Sequence, residues 1–362
     1  MLCLGLLGAP FAACDSTEPA TVEDDDALDG NTGQDAAPGD TTSDAAAPTD
    51  AGELSDVGPD DADPPGGLGG ECSDDSQCPG GTWCSTVSGF RRCSPRLFDG
   101  QAHQMDFVYV PSGTFEQGTP GSTGDDRPFT STLTRSYFVS RTEVTQAQWQ
   151  AVYGVLPARL AFPSCGPTCP VEGVSWWESI DLANRLSESN GLTPCYSVSD
   201  CAGTVGDSDD ATSYQCTSVR SRFLCTGYRL LTDSEWERAA RAGTTGTYYW
   251  GEATDTTTVD QYAWFTGNSG SRTQPVGQKV MNSYGLYDVS GNVFEWVWDW
   301  YAIAYPDGSA TNYTGPPSGS TRTYRGGSCG SGAPDLRSAL RIGSELTYRS
   351  FSLGIRLART VP

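Results

Sequence analysis

One histidine, His103, serves the whole 362-residue chain. That scarcity excludes most metal and acid–base devices at once. Multi-histidine iron and zinc centres are impossible by count. A serine or cysteine nucleophile activated by histidine would have to use His103 itself. It stands in "GQAHQMDF", ahead of the first clear strand, where a solvated loop residue is the plain reading. Basic residues are scarce as well, 22 against 45 acids. Residues 15–66 hold 16 acids and no lysine or arginine, which leaves 29 acids facing all 22 basic groups elsewhere. The extreme acidity therefore belongs to one segment. No basic patch stands out, so nucleic acid is not an expected partner. No apolar run is long enough for a spanning helix, because "MLCLGLLGAPFAAC" is too short to cross a bilayer.

That opening run reads instead as a secretory signal over residues 1–14. "FAAC" looks like a bacterial lipobox, which would leave Cys14 lipidated; a plain signal peptide is the alternative. Phe11 stands where leucine is usual, and no positive n-region precedes the run. Residues 15–70 are Asp, Ala, Thr, Pro and Gly with almost no large apolar groups. Such a segment cannot bury enough to offset its ordering entropy, and it reads as a disordered acidic tether. As an ideal coil, about 55 residues would span roughly 40 Å. Its acid run fits no ordered calcium loop.

Cys72, Cys78, Cys84 and Cys93 then crowd into "CSDDSQCPGGTWCSTVSGFRRC". In a secreted chain this density implies a two-bridge knot over residues 71–96, with pairing open. Zinc is the weaker alternative, because no CxxC pair is present. From about residue 102 to the end the sequence turns globular. "MDFVYVPSGTF" and "RSYFVSRTEV" read as strands. Three helix starts carry a capping box: Thr145 before Gln148, Ser175 before Glu178, and Thr232 before Glu235. Gly191 and Gly243 sit where glycine closes the second and third helices. Between these elements run long Gly-, Ser- and aromatic-rich stretches, so the expected class is α+β with low regular content and disulfide bracing. Cys165 and Cys169 flank a tight loop. Cys195, Cys201, Cys216 and Cys225 share one insertion, where we expect Cys195 with Cys201 and Cys216 with Cys225. Cys329 is then left without a partner.

Along residues 105–359 seven signatures occur in order: "FVYVPSGTFEQGT", "SRTEVTQAQWQAV", "CPVEGVSWWESIDLANRLSE", "GYRLLTDSEWERAARAGTTGTYYWG", "NSYGLYDVSGNVFEWVWDWY", "RGGS" and "SLGIRLAR". Together they resemble the formylglycine-generating enzyme (sulfatase-modifying factor) domain family. The resemblance implies a C-type-lectin-like α+β fold, often calcium-bound. Family enzymes place two cysteines three and eight residues after the serine of RGGS, where they bind copper(I). Copper(I) requires soft thiolates. Here those places hold Ser331 and Leu336, and the histidine that adjoins the first family cysteine is Gly332. Copper is accordingly not expected. The histidine-dependent sulfoxide synthase branch is excluded as well. "APDLRSALR" looks like noncatalytic members, with Arg337 and Arg341 expected to make ion pairs and hydrogen bonds in the core.

The resemblance leaves Arg325, Ser328, Cys329 and Ser331 as candidates to line a substrate groove. It also carries calcium over to "GLYDVSGNVFEW": side-chain oxygens of Asn292 and Glu295, with carbonyls of Gly291 and Val293. The alternative is that Glu295 pairs with a buried arginine. Trp296, Trp298 and Trp300 alternate and read as core and cleft wall. The expected function is an extracytoplasmic binding or scaffold module, held at a membrane by its lipid and otherwise secreted. Its partner would be a protein, peptide or glycan. The alternative is a formylglycine-generating oxidase.

Overall fold

The computed structural model describes residues 68–361, apart from 88–89, 99–100, 102, 124–125 and 224. The leader with Cys14, and the tether up to residue 67, lie outside the described residues.

All three capping boxes form. Helix α1 (Gln146–Tyr153) starts at Thr145, α2 (Trp176–Ser189) at Ser175, and α3 (Asp233–Arg241) at Thr232. In each, the hydroxyl accepts the N3 amide while the N3 side chain reaches back, worth about 1 kcal/mol per cap. Gly191 has φ +66 just past α2, as expected. At α3 the left-handed turn begins one residue early, with Ala242 at φ 48 before Gly243 at φ 90. A fourth helix, α4 (Thr256–Tyr262), was hidden in the sequence by a run of three threonines; Asp255 caps it by accepting the Thr258 amide.

Among the described residues the strands make four sheets. The largest runs in the order β1 (Thr82–Val87), β2 (Phe90–Leu97), β3 (Met105–Val110), β6 (Tyr137–Ser140), β15 (Leu357–Thr360), β9 (Tyr228–Leu230), antiparallel throughout. The last strand, β15, thus lies inside this sheet, between β6 and β9. A three-stranded sheet sets β5 (Phe129–Leu133) between β4 (Gly113–Gln117) and β11 (Ser309–Thr311). A hairpin joins β7 (Tyr196–Ser199) to β8 (Ser218–Ser221). The fourth sheet carries the residues of interest: β13 (Arg341–Ser344), β12 (Arg322–Arg325), β10 (Phe294–Trp300), β14 (Leu353–Ile355). Only 17% of the described residues are helical, so the class is α+β with low regular content, as expected.

The stretch expected to be a separate knot is built into the main sheet. Its strand β2 pairs with β3 at Arg96↔Asp106 and Leu97↔Met105. Arg96 and Asp106 also form a 2.7 Å ion pair, and the Trp83 indole donates to the Phe107 carbonyl at 3.0 Å. Its bridges are Cys72–Cys84 and Cys78–Cys93. The Cys72, Cys78 and Cys93 sulfurs lie close together, but as disulfides they are not thiolate ligands for zinc.

Cys165–Cys169 forms as expected. The pairing expected inside the insertion is wrong. The bridges are Cys195–Cys225 and Cys201–Cys216, one nested in the other. The reason is the hairpin: β7 and β8 pair Tyr196 with Ser221 and Ser199 with Ser218. This brings the outer cysteines together beyond one end of the ladder and the inner ones beyond the other. Cys329 is a free, buried cysteine.

Candidate functional site

Strand β12 ends at Arg325, and a double-glycine turn comes next. Gly326 and Gly327 have φ +101 and +74, and a Cβ on Gly327 would lie 2.7 Å from the Asp335 carbonyl. Only glycine lets the segment fold back this tightly. Beyond the turn, residues 328–333 are wired into the interior. The Ser328 amide donates to Ser331 Oγ at 3.0 Å. The Cys329 amide donates to the Asn292 carbonyl at 2.7 Å, and Ser269 Oγ donates to the Cys329 carbonyl at 2.6 Å. The Thr266 amide reaches the Ser331 carbonyl, and the Tyr248 hydroxyl reaches that of Ala333.

The four groove candidates therefore do not line a surface. Arg325, Ser328, Cys329 and Ser331 are all buried. Arg325 is held between Asp233, at 2.7 Å, and Glu237, at 2.5 Å, and it also donates to the Leu340 carbonyl. Breaking such a pair would strand a charge in the core. Their exposed neighbours are Gly330, Gly332, Pro334 and Asp335. Leu336, at the second family cysteine position, is fully buried in a cluster with Tyr248, Val259, Ala263 and Phe265. Burial, with Glu172 nearby, pushes the Cys329 thiol up to about 12. At neutral pH it is an un-ionised thiol and a poor nucleophile or metal ligand. Arg337 and Arg341 make hydrogen bonds but no ion pair within salt-bridge distance among the described residues. They donate to the Pro334 and Ile303 carbonyls, and Arg341 covers the Tyr305 ring at 3.6 Å.

The segment expected to hold calcium meets β12 through Glu295, which faces Arg325 in the ladder. Both oxygens of Glu295 are engaged. Arg356 donates to Oε1 at 2.8 Å, and the Trp236 indole donates to Oε2 at 2.6 Å. Asn292 Oδ1 accepts the Gln274 amide at 2.9 Å, and its amide group donates to Glu143 Oε2 at 3.0 Å. The Gly291 amide donates to the Gly326 carbonyl, and the Val293 amide to Glu143 Oε1. So Asn292 and Glu295, as placed, do not fit as calcium ligands: the arginine alternative describes Glu295.

Two carboxylates that lie inside the quoted signatures but were not among the candidate ligands complete the cluster. Glu143 stands immediately before α1's capping segment, far from Asn292 in sequence. Asp288 lies inside the stretch expected to bind calcium. Asp288 Oδ2 accepts the Gly277 amide, while the buried Oδ1 has no hydrogen-bond partner among the described residues. Of the three carboxylates only Glu295 lies within ion-pair distance of Arg356, while Glu143 and Asp288 act on that guanidinium through charge at longer range. Burial, then the charge of Asp288, pushes the Glu143 carboxyl well up; burial pushes that of Asp288 up to about 6. The surplus negative charge calls for protons or a cation. The signal in the sequence was weak: one glutamate before a helix start, with no spacing that ties it to Asn292.

The three tryptophans of β10 behave as wall and core. Trp296 is fully buried and donates to the Val174 carbonyl, while Trp298 stacks on Tyr196. Arg322 lies over Trp300 at 3.5 Å and Trp176 at 4.0 Å. His103 is half-buried with its ring edge-on to Phe98 at 4.8 Å, and it takes no part in the site.

Residues 95–361 match the family model of the sulfatase-modifying factor enzyme 1-like domain. The chaperone protein LppX of Paenibacillus barcinonensis is 32% identical over 212 residues, covering 54% of this chain and 72% of LppX. The formylglycine-generating enzyme of Streptomyces coelicolor is 28% identical over 260 residues, covering 65% of this chain and 80% of the enzyme. Among solved structures, Treponema denticola variable protein 1 superposes with a TM-score of 0.64 at 32% identity, over 74% of this chain and 99% of that one. PvdO from Pseudomonas aeruginosa shares the fold, with a TM-score of 0.55 at 23% identity over 73% of this chain and 97% of PvdO. The fold, the double-glycine turn after Arg325 and the family match agree: this chain belongs to the sulfatase-modifying factor enzyme 1-like, or formylglycine-generating enzyme, domain family.

Proposed function

We propose that this chain is a noncatalytic binding module acting on an extracytoplasmic protein, held at a membrane surface through Cys14. One observation carries the reading: Leu336, where the second copper-binding cysteine would stand, is core packing, and Ser331 replaces the first. A copper(I) oxidase needs two converging thiolates. Cys329 offers one, buried and un-ionised. A protein partner is favoured over a glycan for the irregular loops because LppX, a relative over most of its own length, is named a chaperone. The contact surface we assign lies before β14, where Tyr348 and Phe351 are 44% and 48% exposed and Phe351 meets Phe162 edge-on. Five disulfides support an oxidising compartment, and no helix among the described residues is long and apolar enough to cross a membrane.

Purified protein loaded with copper(I) should leave the cysteine of a CxPxR peptide unconverted in mass spectra. Turnover that survives Cys329→Ser would sink the noncatalytic reading as surely as turnover that depends on it. A pull-down should lose its partner in Phe351→Ser with Tyr348→Ser and keep it in Cys329→Ser. For the anchor, the mature protein should carry a diacylglyceryl group on Cys14. A soluble wild type cleaved elsewhere would refute that part alone. Calcium remains part of the proposal, with Asp288 Oδ1, the one carboxylate oxygen of the cluster without a hydrogen-bond partner among the described residues, as its ligand.

A further inference from the structure

A cleft of about 260 Å³ opens between β4 and the turn that follows α3. It is remote in sequence from the 326–336 segment, and none of its lining belongs to the cluster around Arg356. Its size falls below the roughly 300–1,000 Å³ of drug-sized sites, which fits one small ring. The lining brings together the half-buried Phe115, the exposed Glu116, Arg238, the hydroxyls of Thr244 and Thr245, and Tyr284.

The charges in this lining decide what it accepts. Arg241, at its base, is already matched by Glu237 at 2.8 Å. That leaves one anion, Glu116, and one cation, Arg238, so the cleft is close to neutral. Arg238 is held in place by donating to the Pro111 and Ser112 carbonyls, each at 2.8 Å. The absence of a side chain on Gly113 permits this approach, since a Cβ there would lie 2.8 Å from an Arg238 nitrogen. The carbonyls at the end of α3 do not add charge to the cleft either. Asn282 caps those of Ala239 and Ala240, Ser283 caps that of Ala242, and Thr244 Oγ1 donates to that of Arg241. Glu116 Oε1 accepts from Thr130 Oγ1 at 2.7 Å and Arg238 lies over the Phe115 ring at 5.8 Å, so what remains available is hydroxyl oxygens, the second Glu116 oxygen, the outer side of one guanidinium and part of a phenyl face. An ionic ligand would leave one wall charge opposed. A neutral ring with many hydroxyls satisfies all of them: its hydroxyls pair with the threonine, tyrosine and carboxylate oxygens, and its C–H face covers Phe115.

We propose that this cleft binds one neutral sugar residue, separately from the loop surface assigned to a protein partner. The probes are the methyl glycosides of glucose, galactose, mannose and N-acetylglucosamine, with methyl glucuronide as the anionic control. They are titrated into the full chain and followed by saturation-transfer NMR and calorimetry. At least one neutral glycoside should bind saturably. Tyr284→Phe and Glu116→Gln should each weaken it roughly fivefold, the loss of one hydrogen bond, with melting temperature unchanged. Glu116 is exposed, so its variant tests the site even if Tyr284→Phe disturbs packing. No saturable binding by any neutral glycoside, binding unmoved by both variants, or preference for the glucuronide would each overturn the proposal. Capture of a protein partner that persists in these two variants while sugar binding falls would separate this site from the loop surface.

Discussion

Glu172 shows how one side chain can carry a pH dependence. Its Oε1 accepts the amides of Ala161 and Phe162 at 2.8 and 2.9 Å, which hold the loop that presents Phe162. Its Oε2 is buried with no hydrogen-bond partner among the described residues. Burial pushes the carboxyl from 4.5 up to about 7. Unfolded, the group releases its proton near its ordinary value; folded, it keeps it to about 7. Across that window the native chain binds more protons than the unfolded one, so stability falls as pH rises and the penalty is complete above pH 7. Its ceiling is about 3 kcal/mol. Glu172→Gln should flatten the slope of urea-unfolding stability between pH 4.5 and 7; parallel profiles for the two proteins would contradict this. Cys329, whose thiol stands near that carboxyl, gives a second test. Iodoacetamide should leave it unmodified in the native protein and alkylate it once urea is added, as read by peptide mapping. Rapid native alkylation would mean that the thiol is exposed or ionised. Neither property was legible in the sequence. A spare cysteine could be counted, but its burial depends on Asn292 and Ser269, which the fold brings in from distant segments.

At the scale of elements, local signals were legible and closures were not. The hydroxyl-x-x-Glu/Gln pattern located three helix starts, because a cap is decided within four residues. The insertion went wrong for the opposite reason. Nearest-neighbour pairing of Cys195 with Cys201 ignores that β7 and β8 form a ladder between the cysteines, and a ladder imposes nesting. The outer bridge spans a sequence separation of 30. Closing a loop of that size stabilises by about 3–4 kcal/mol in the chain-entropy picture. Cys195→Ala with Cys225→Ala should therefore lower stability by about that much. Removing Cys201 and Cys216, with a separation of 15, inside an intact outer bridge should cost less. Non-reducing peptide maps must show 195–225 and 201–216 peptides joined; a 195–201 peptide would overturn the nesting. The knot is the same lesson in reverse: its cysteine density was plain, yet nothing local showed that β2 would join β3 and that Trp83 would dock on Phe107.

At the scale of the molecule, the family fold was legible because its motifs are many and ordered, whereas the site depends on which side chains meet. Glu143 precedes α1, Asp288 and Glu295 flank the start of β10, and Arg356 lies between β14 and β15. A charge cluster drawn from four such places links both larger sheets and the segment ahead of the first helix. Arg356 shows this directly: it donates to Glu295, to the Ser140 carbonyl at the end of β6, and to the Tyr287 carbonyl. Three carboxylates face Arg356, with Lys279 also acting on Asp288, so a proton or an ion that neutralised the remaining charge would act on the whole fold. A ligand that binds only the native state stabilises it by roughly 2.7 kcal/mol at a hundredfold excess over Kd. If Asp288 Oδ1 holds calcium, millimolar calcium should raise the melting temperature of chelator-treated protein. Asp288→Asn, which keeps the side-chain volume and the Gly277 hydrogen bond but removes a charge, should blunt that rise. Glu295→Gln should destabilise with or without calcium, because it strands Arg356 without its carboxylate. That contrast separates a ligand from an internal ion-pair partner. Equal melting temperatures in calcium and after verified chelation would mean that protons alone balance the cluster. Stability would then respond to acid and not to metal.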